Sequence, residues 1–190
     1  MKVALLGTSN SVLRHGFSTG LAYGLGGDVR FDNVSVGIGG IFLNECIERL
    51  DGRAYDFVLI DCAVNDEILA RNTPAFHPLF VDNFQSLLAR VAATGSCPVP
   101  IILPRQDALE TGQVRTASAY IRTCQDNRIP FANVYKLVRQ SQRLTELPFA
   151  AYFKDAAHLH RPLAGIVGAG VAAALATLNG RPARMADLQA

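Results

Sequence analysis

The sequence predicts an α/β fold in which helices cover both faces of a parallel sheet, and two observations carry that reading. Aliphatic runs of strand length alternate with stretches of helical periodicity. The first two of these runs end in Gly-containing turns, as buried strands of α/β units do.

Residues 3–6 (VALL) form the first run and end at Gly7. Residues 11–25 carry Val12, Leu13, Phe17, Leu21 and Leu25 at near-helical spacing, so a helix is expected there. A second strand is expected over 29–36, ending in the turn GIGG, and a helix over 41–50. The run DFVLIDC marks a third strand within 55–62, followed by AVND. Helices are expected over 84–93 and 116–127, with a fourth strand between them at 99–103 and a short fifth strand at 130–134. Residues 139–154 read as loop with one helical turn, and 163–178 as a long terminal helix. The chain of 190 residues is of single-domain length and shows no internal linker, so one domain over 1–190 is expected.

Composition narrows the function. Apolar residues make up 49% of the chain and charged ones 18%, enough for a sizeable core and too apolar for disorder. The formal net charge is +2 with Lys and Arg scattered, which lacks the basic stripe of a nucleic-acid binder. Cys46, Cys62, Cys97 and Cys124 have no C-x-x-C pairing and no close histidine, so they read as reduced thiols and not as zinc ligands or a disulfide framework. The VALL run is too short for a signal peptide, and 163–178 is shorter than the ~20 residues of a membrane span. A soluble cytoplasmic protein without membrane or nucleic-acid partners is the expectation.

In an open parallel sheet, ligands gather beyond the carboxyl ends of the strands. Polar residues are concentrated there: GTSN after the first strand, SVGIGG after the second, AVND after the third, and DAAH before the terminal helix. Singly, each has a structural reading. Ser9 or Asn65 at a strand-to-helix turn serves as a helix cap, GIGG as a tight turn, and Asp155 with His158 as a surface pair. His160, two residues after His158, lacks the clustered partners of a metal site. No G-x-G-x-x-G or G-K-[ST] motif is present for a nucleotide. Arg105 in LPRQD reads as an exposed arginine at a strand end, the alternative being a contact to an anionic or carbohydrate part of a substrate.

Taken together and in this order, the four blocks resemble those of the GDSL or SGNH hydrolases, named for a Ser, Gly, Asn and His in four separate blocks. The resemblance covers nearly the whole chain. It implies a three-layer α/β/α sandwich around a flavodoxin-like parallel sheet of five strands. It also implies an ester hydrolase that uses neither metal nor cofactor. By resemblance, Ser9 is the nucleophile, His158 the base and Asp155 the residue that orients it. The oxyanion donors implied are the N–H of Ser9, the N–H of a block-two glycine, and the side-chain amide of Asn65. Gly37 is the favoured glycine and Gly39 the next. Thr8 stands where the family usually has Asp, and Ala63 where it usually has Gly, which marks a divergent branch. The implied substrate is a small-molecule or saccharide ester, with acetyl on a carbohydrate the favoured case. Acyl transfer to a sugar and a non-catalytic carbohydrate-binding relative are the alternatives. The nucleophile elbow G-x-S-x-G is absent at Ser9, where the residue two positions on is Ser11.

Overall fold

The structure, a computed structural model, describes residues 1–14, 16–37, 43–50 and 52–179. Five parallel strands, β1 (Lys2–Gly7), β2 (Arg30–Asn33), β3 (Phe57–Asp61), β4 (Cys97–Ile102) and β5 (Ala132–Asn133), form one sheet in the order β2-β1-β3-β4-β5. Val3 to Leu6 and Val58 to Ile60 are all but inaccessible to solvent, because helices cover the sheet on both faces. This is the α/β architecture expected from the alternating pattern. The fifth strand is shorter than expected, since β5 pairs with β4 over only two residues.

Eight helices are described, beginning with α1 (Ser9–Val12), α2 (Phe17–Leu25), α3 (Ala63–Asn72) and α4 (His77–Ala93). Then come α5 (Gln106–Thr111), α6 (Arg115–Asp126), α7 (Val134–Thr145) and α8 (Arg161–Asn179). Helix α8 packs along α2, while α3 and α4 pack on α6. The α2–α8 contact depends on small residues: a Cβ at Gly168 would stand 2.2 Å from the Phe17 carbonyl oxygen, so the backbones meet directly. Helix α8 has the length and apolarity of a membrane-crossing helix, with a mean hydropathy of 1.6. Its buried residues, Val167, Val171 and Leu175 among them, belong to the common core.

Several element boundaries differ from expectation. The helix read over 11–25 is two pieces: Leu13 turns to extended backbone at ψ 129°, and Phe17 restarts the helix after Gly16. The reason is that the first piece is hydrogen-bonded to the ends of the strands, whereas α2 packs on α8. Strand β2 stops at Asn33, whose Oδ1 accepts the N–H of Ser35. Even so, Val34 and Val36 still donate to the carbonyls of Leu5 and Gly7. The helix expected over 41–50 is a 3₁₀ turn at Glu45–Leu50, with 41–42 outside the described residues. Helix α4 starts at His77, with Pro78 in its first turn, and therefore precedes the expected start at 84. The largest departure is α7, which starts at the expected end of the fifth strand and runs to 145, into the 139–154 stretch expected to be loop with one helical turn. Asn133 Oδ1 caps it by accepting from the Lys136 N–H at 3.0 Å, and Val134, Tyr135 and Val138 are buried along one face.

Candidate active site

The chain steps from β1 to β2 on one side and from β3 to β4 on the other, which puts the topological switch point between β1 and β3. Gly7 and Asp61 are level at the carboxyl ends of these two strands. Ser9 opens the single turn of α1 directly beyond β1, and Asn65 lies in the first turn of α3 beyond β3. The segment after β2 runs beside the end of β1, because the Val36 N–H donates to the Gly7 carbonyl at 3.1 Å. Gly37 has φ +72°, a conformation that favours glycine, and a Cβ there would be 3.2 Å from Val12 Cγ2. Gly37 therefore sits against the serine turn. Gly39 lies outside the described residues.

The fourth block folds into a two-stranded antiparallel hairpin, β6 (Phe153–Asp155) with β7 (His158–Leu159). Asp155 Oδ1 accepts the backbone N–H groups of Ala157 and His158, each at 3.0 Å, so the carboxylate closes its own turn. The same carboxylate lies 2.8 and 3.0 Å from His158 Nδ1. An ionised carboxylate only accepts, so Nδ1 carries the hydrogen and the lone pair of neutral His158 is on Nε2. Nε2 is 3.1 Å from Ser9 Oγ, hydrogen-bonding distance for the serine hydroxyl to donate. The structure thus brings Ser9, His158 and Asp155 together across 149 residues of sequence.

Electrostatics keep Asp155 charged. Burial pushes its carboxyl up, but the Ala157 N–H and the bonds to His158 outweigh that and hold it below the ordinary aspartate range. The Asp155 side chain is 48% exposed and that of His158 22%, so the pair is open to solvent and to a ligand. His160 is exposed, and its N–H donates to the Tyr152 carbonyl. Among the described residues, no group of three or more His, Cys, Asp or Glu is gathered as for a metal ion.

Contacts that sequence reasoning missed fix the two halves of this arrangement. Asn10 Nδ2 donates to the Ala157 carbonyl at 3.3 Å and links the serine turn to the histidine hairpin. The Gln106 N–H donates to the Ala156 carbonyl and docks the hairpin on α5. Asn33 Nδ2 donates to the Ser11 carbonyl at 2.9 Å, and Ser11 Oγ donates to buried Asp61. The only signal for Asp61 was a charged residue closing the apolar run FVLID. Arg105 is not the exposed arginine expected. It is only 9% exposed, and two of its guanidinium nitrogens bond Asp107 at 3.0 and 2.8 Å. It lines a cavity of about 510 Å³ with Arg71, Arg115 and Glu67, and none of Ser9, Asp155 and His158 borders it.

No protein-family model matches the chain and no curated protein matches its sequence, whereas solved structures do match it. One is a member of the lipolytic protein G-D-S-L family from Veillonella parvula, with TM-score 0.67 and 14% identity over 93% of this chain and 98% of that one. A second is the psychrotrophic esterase EstA from Pseudoalteromonas sp., inhibited by monoethylphosphonate, with TM-score 0.69 and 14% identity over 95% and 99%. A third is a two-domain esterase (CEX) active on acetylated mannans, with TM-score 0.69 and 16% identity over 97% of this chain and 50% of that one. The fold is therefore the three-layer α/β/α sandwich of the GDSL or SGNH proteins.

Proposed function

We propose that this protein is a serine esterase of the SGNH type, and the observation that carries the reading is Ser9 Oγ at 3.1 Å from a histidine nitrogen whose ring is oriented by Asp155. In the reaction, Ser9 Oγ attacks the ester carbonyl carbon while His158 Nε2 takes its proton. Asp155 stabilises the imidazolium so formed. The negative charge on the carbonyl oxygen is met by the Ser9 N–H, the N–H of Gly37 or Gly39, and the Asn65 side chain; losing one such donor typically costs roughly 2.7 to 4 kcal/mol. Collapse breaks the bond to the alcohol, which leaves with the proton from His158. Water, deprotonated by the same nitrogen, then attacks the acyl-serine and releases the carboxylic acid and free Ser9. The proton balance closes without a metal or a cofactor.

The substrate class we infer is a small acyl ester, with acetyl on a carbohydrate the leading case. Its support is the shared fold with an esterase active on acetylated mannans. The test is hydrolysis of p-nitrophenyl acetate and release of acetate from an acetylated oligosaccharide by wild type and Ser9→Ala. The substitution is expected to lower kcat by roughly 10⁴-fold or more. Equal rates for the two proteins would end the esterase reading. A requirement for an added sugar acceptor would replace hydrolysis by acyl transfer.

A further inference from the structure

We propose that Asp61 is a positioning residue for Ser9, fastening the nucleophile's turn to the neighbouring strand through its side chain and its main chain together. This rests on the esterase reading above and extends it to a residue that touches neither substrate nor the reacting atoms. Asp61 ends β3 level with Gly7. Its Oδ2 accepts from Ser11 Oγ at 2.8 Å, and its carbonyl accepts from the Thr8 N–H at 3.0 Å. The Ser11 N–H donates in turn to the Thr8 carbonyl at 3.0 Å. Asp61, Thr8 and Ser11 thus form a closed set of hydrogen bonds that fixes both ends of the Thr8–Ser11 turn carrying Ser9. All three are fully buried. A Cβ at Gly7 would lie 2.1 Å from Ser11 Oγ, so the glycine at the strand end is what lets Ser11 fold beneath it and reach Asp61.

The placement of this carboxyl is costly. Burial raises its affinity for a proton to a pKa of about 6, and the neighbouring charge is another carboxylate, Asp66, which pushes the same way. The compensating gain is a buried bond to a residue two positions from the nucleophile, where a displacement of about 1 Å is worth up to roughly 10²-fold in rate. Such a residue acts on kcat and leaves substrate binding alone.

The experiment compares wild type, D61A, S11A, the double variant and D61N in steady-state hydrolysis of p-nitrophenyl acetate, with far-UV circular dichroism at the assay temperature. The expected result is a fall in kcat of about tenfold or more for D61A and for S11A, with KM within about twofold of wild type. The double variant is expected to be no slower than the slower single one, because both remove one bond. D61N, whose amide oxygen still accepts from Ser11, is expected to recover most of the rate. Folded S11A with a wild-type kcat overturns the proposal, and that variant decides alone if D61A does not fold. A loss of activity that only follows the unfolded fraction also overturns it. If wild type and Ser9→Ala are equally inactive, the esterase reading falls and takes this one with it; if wild type hydrolyses the ester and the variants match it, only the role of Asp61 falls.

Discussion

At the scale of single residues, the hairpin carboxylate of Asp155 both closes its own turn, through the Ala157 and His158 N–H groups, and orients the His158 ring. Asp155→Asn keeps the size of the side chain but offers an amide that can donate to Nδ1, which favours the wrong tautomer for a base at Nε2. In the proposed reaction this variant is expected to lose roughly 10⁴-fold in kcat while melting near the wild-type temperature. A variant within tenfold of wild type would remove Asp155 from the mechanism. That Ser9, Asp155 and His158 come together was legible in the sequence, because their short blocks combine residue types with a known joint chemistry. Asp61 and Asn10 were not. Their partners lie 50 and 147 positions away, and nothing local distinguishes Asp61 from a strand-end aspartate or Asn10 from a turn residue.

Among the elements, α2 and α8 show how composition becomes geometry. The glycines and alanines of 163–178, which read only as a helix, allow α8 to lie with its backbone against that of α2. Gly168→Ala would drive a methyl group into the Phe17 carbonyl and the Leu21 amide, so a loss of about 1–3 kcal/mol in unfolding free energy is expected from urea titration. An unchanged midpoint would contradict that contact. The first four strands were legible as short apolar runs, continuous where helices cover both faces of the sheet, and α2, α4, α6 and α8 because their periodicity reports burial on one face. Helices α3 and α5 follow turns whose polar residues hide their periodicity. Helix α7 was not legible, because its buried residues Val134, Tyr135 and Val138 begin at the end of an apolar run that also suits a strand. The break between α1 and α2 escaped notice for a different reason. The apolar spacing continues through it, and the force that breaks it comes from bonds to distant strands.

For the whole molecule, the order β2-β1-β3-β4-β5 puts Ser9 beside the switch point, and the Ser9–His158 bond joins it to the late β6–β7 hairpin. The buried carboxyl of Asp61 under that point has a global consequence for stability. Its folded pKa of about 6 exceeds the ordinary 3.8, so between these values the native state holds a proton that the unfolded chain releases. Its contribution to stability is therefore greatest in acid and falls as pH rises through about 6, by about 3 kcal/mol in all. Relative to wild type, Asp61→Asn is expected to gain stability by about that amount between pH 4 and pH 7. A constant difference over that range would show that Asp61 does not titrate in this way. The central claim, that Ser9 is a nucleophile activated by His158, is tested most directly by a fluorophosphonate probe followed by peptide mass spectrometry. The expected adduct is on Ser9, absent in Ser9→Ala and slowed by orders of magnitude in His158→Ala. A probe that leaves Ser9 unmodified, or labels it equally fast without His158, would contradict the mechanism.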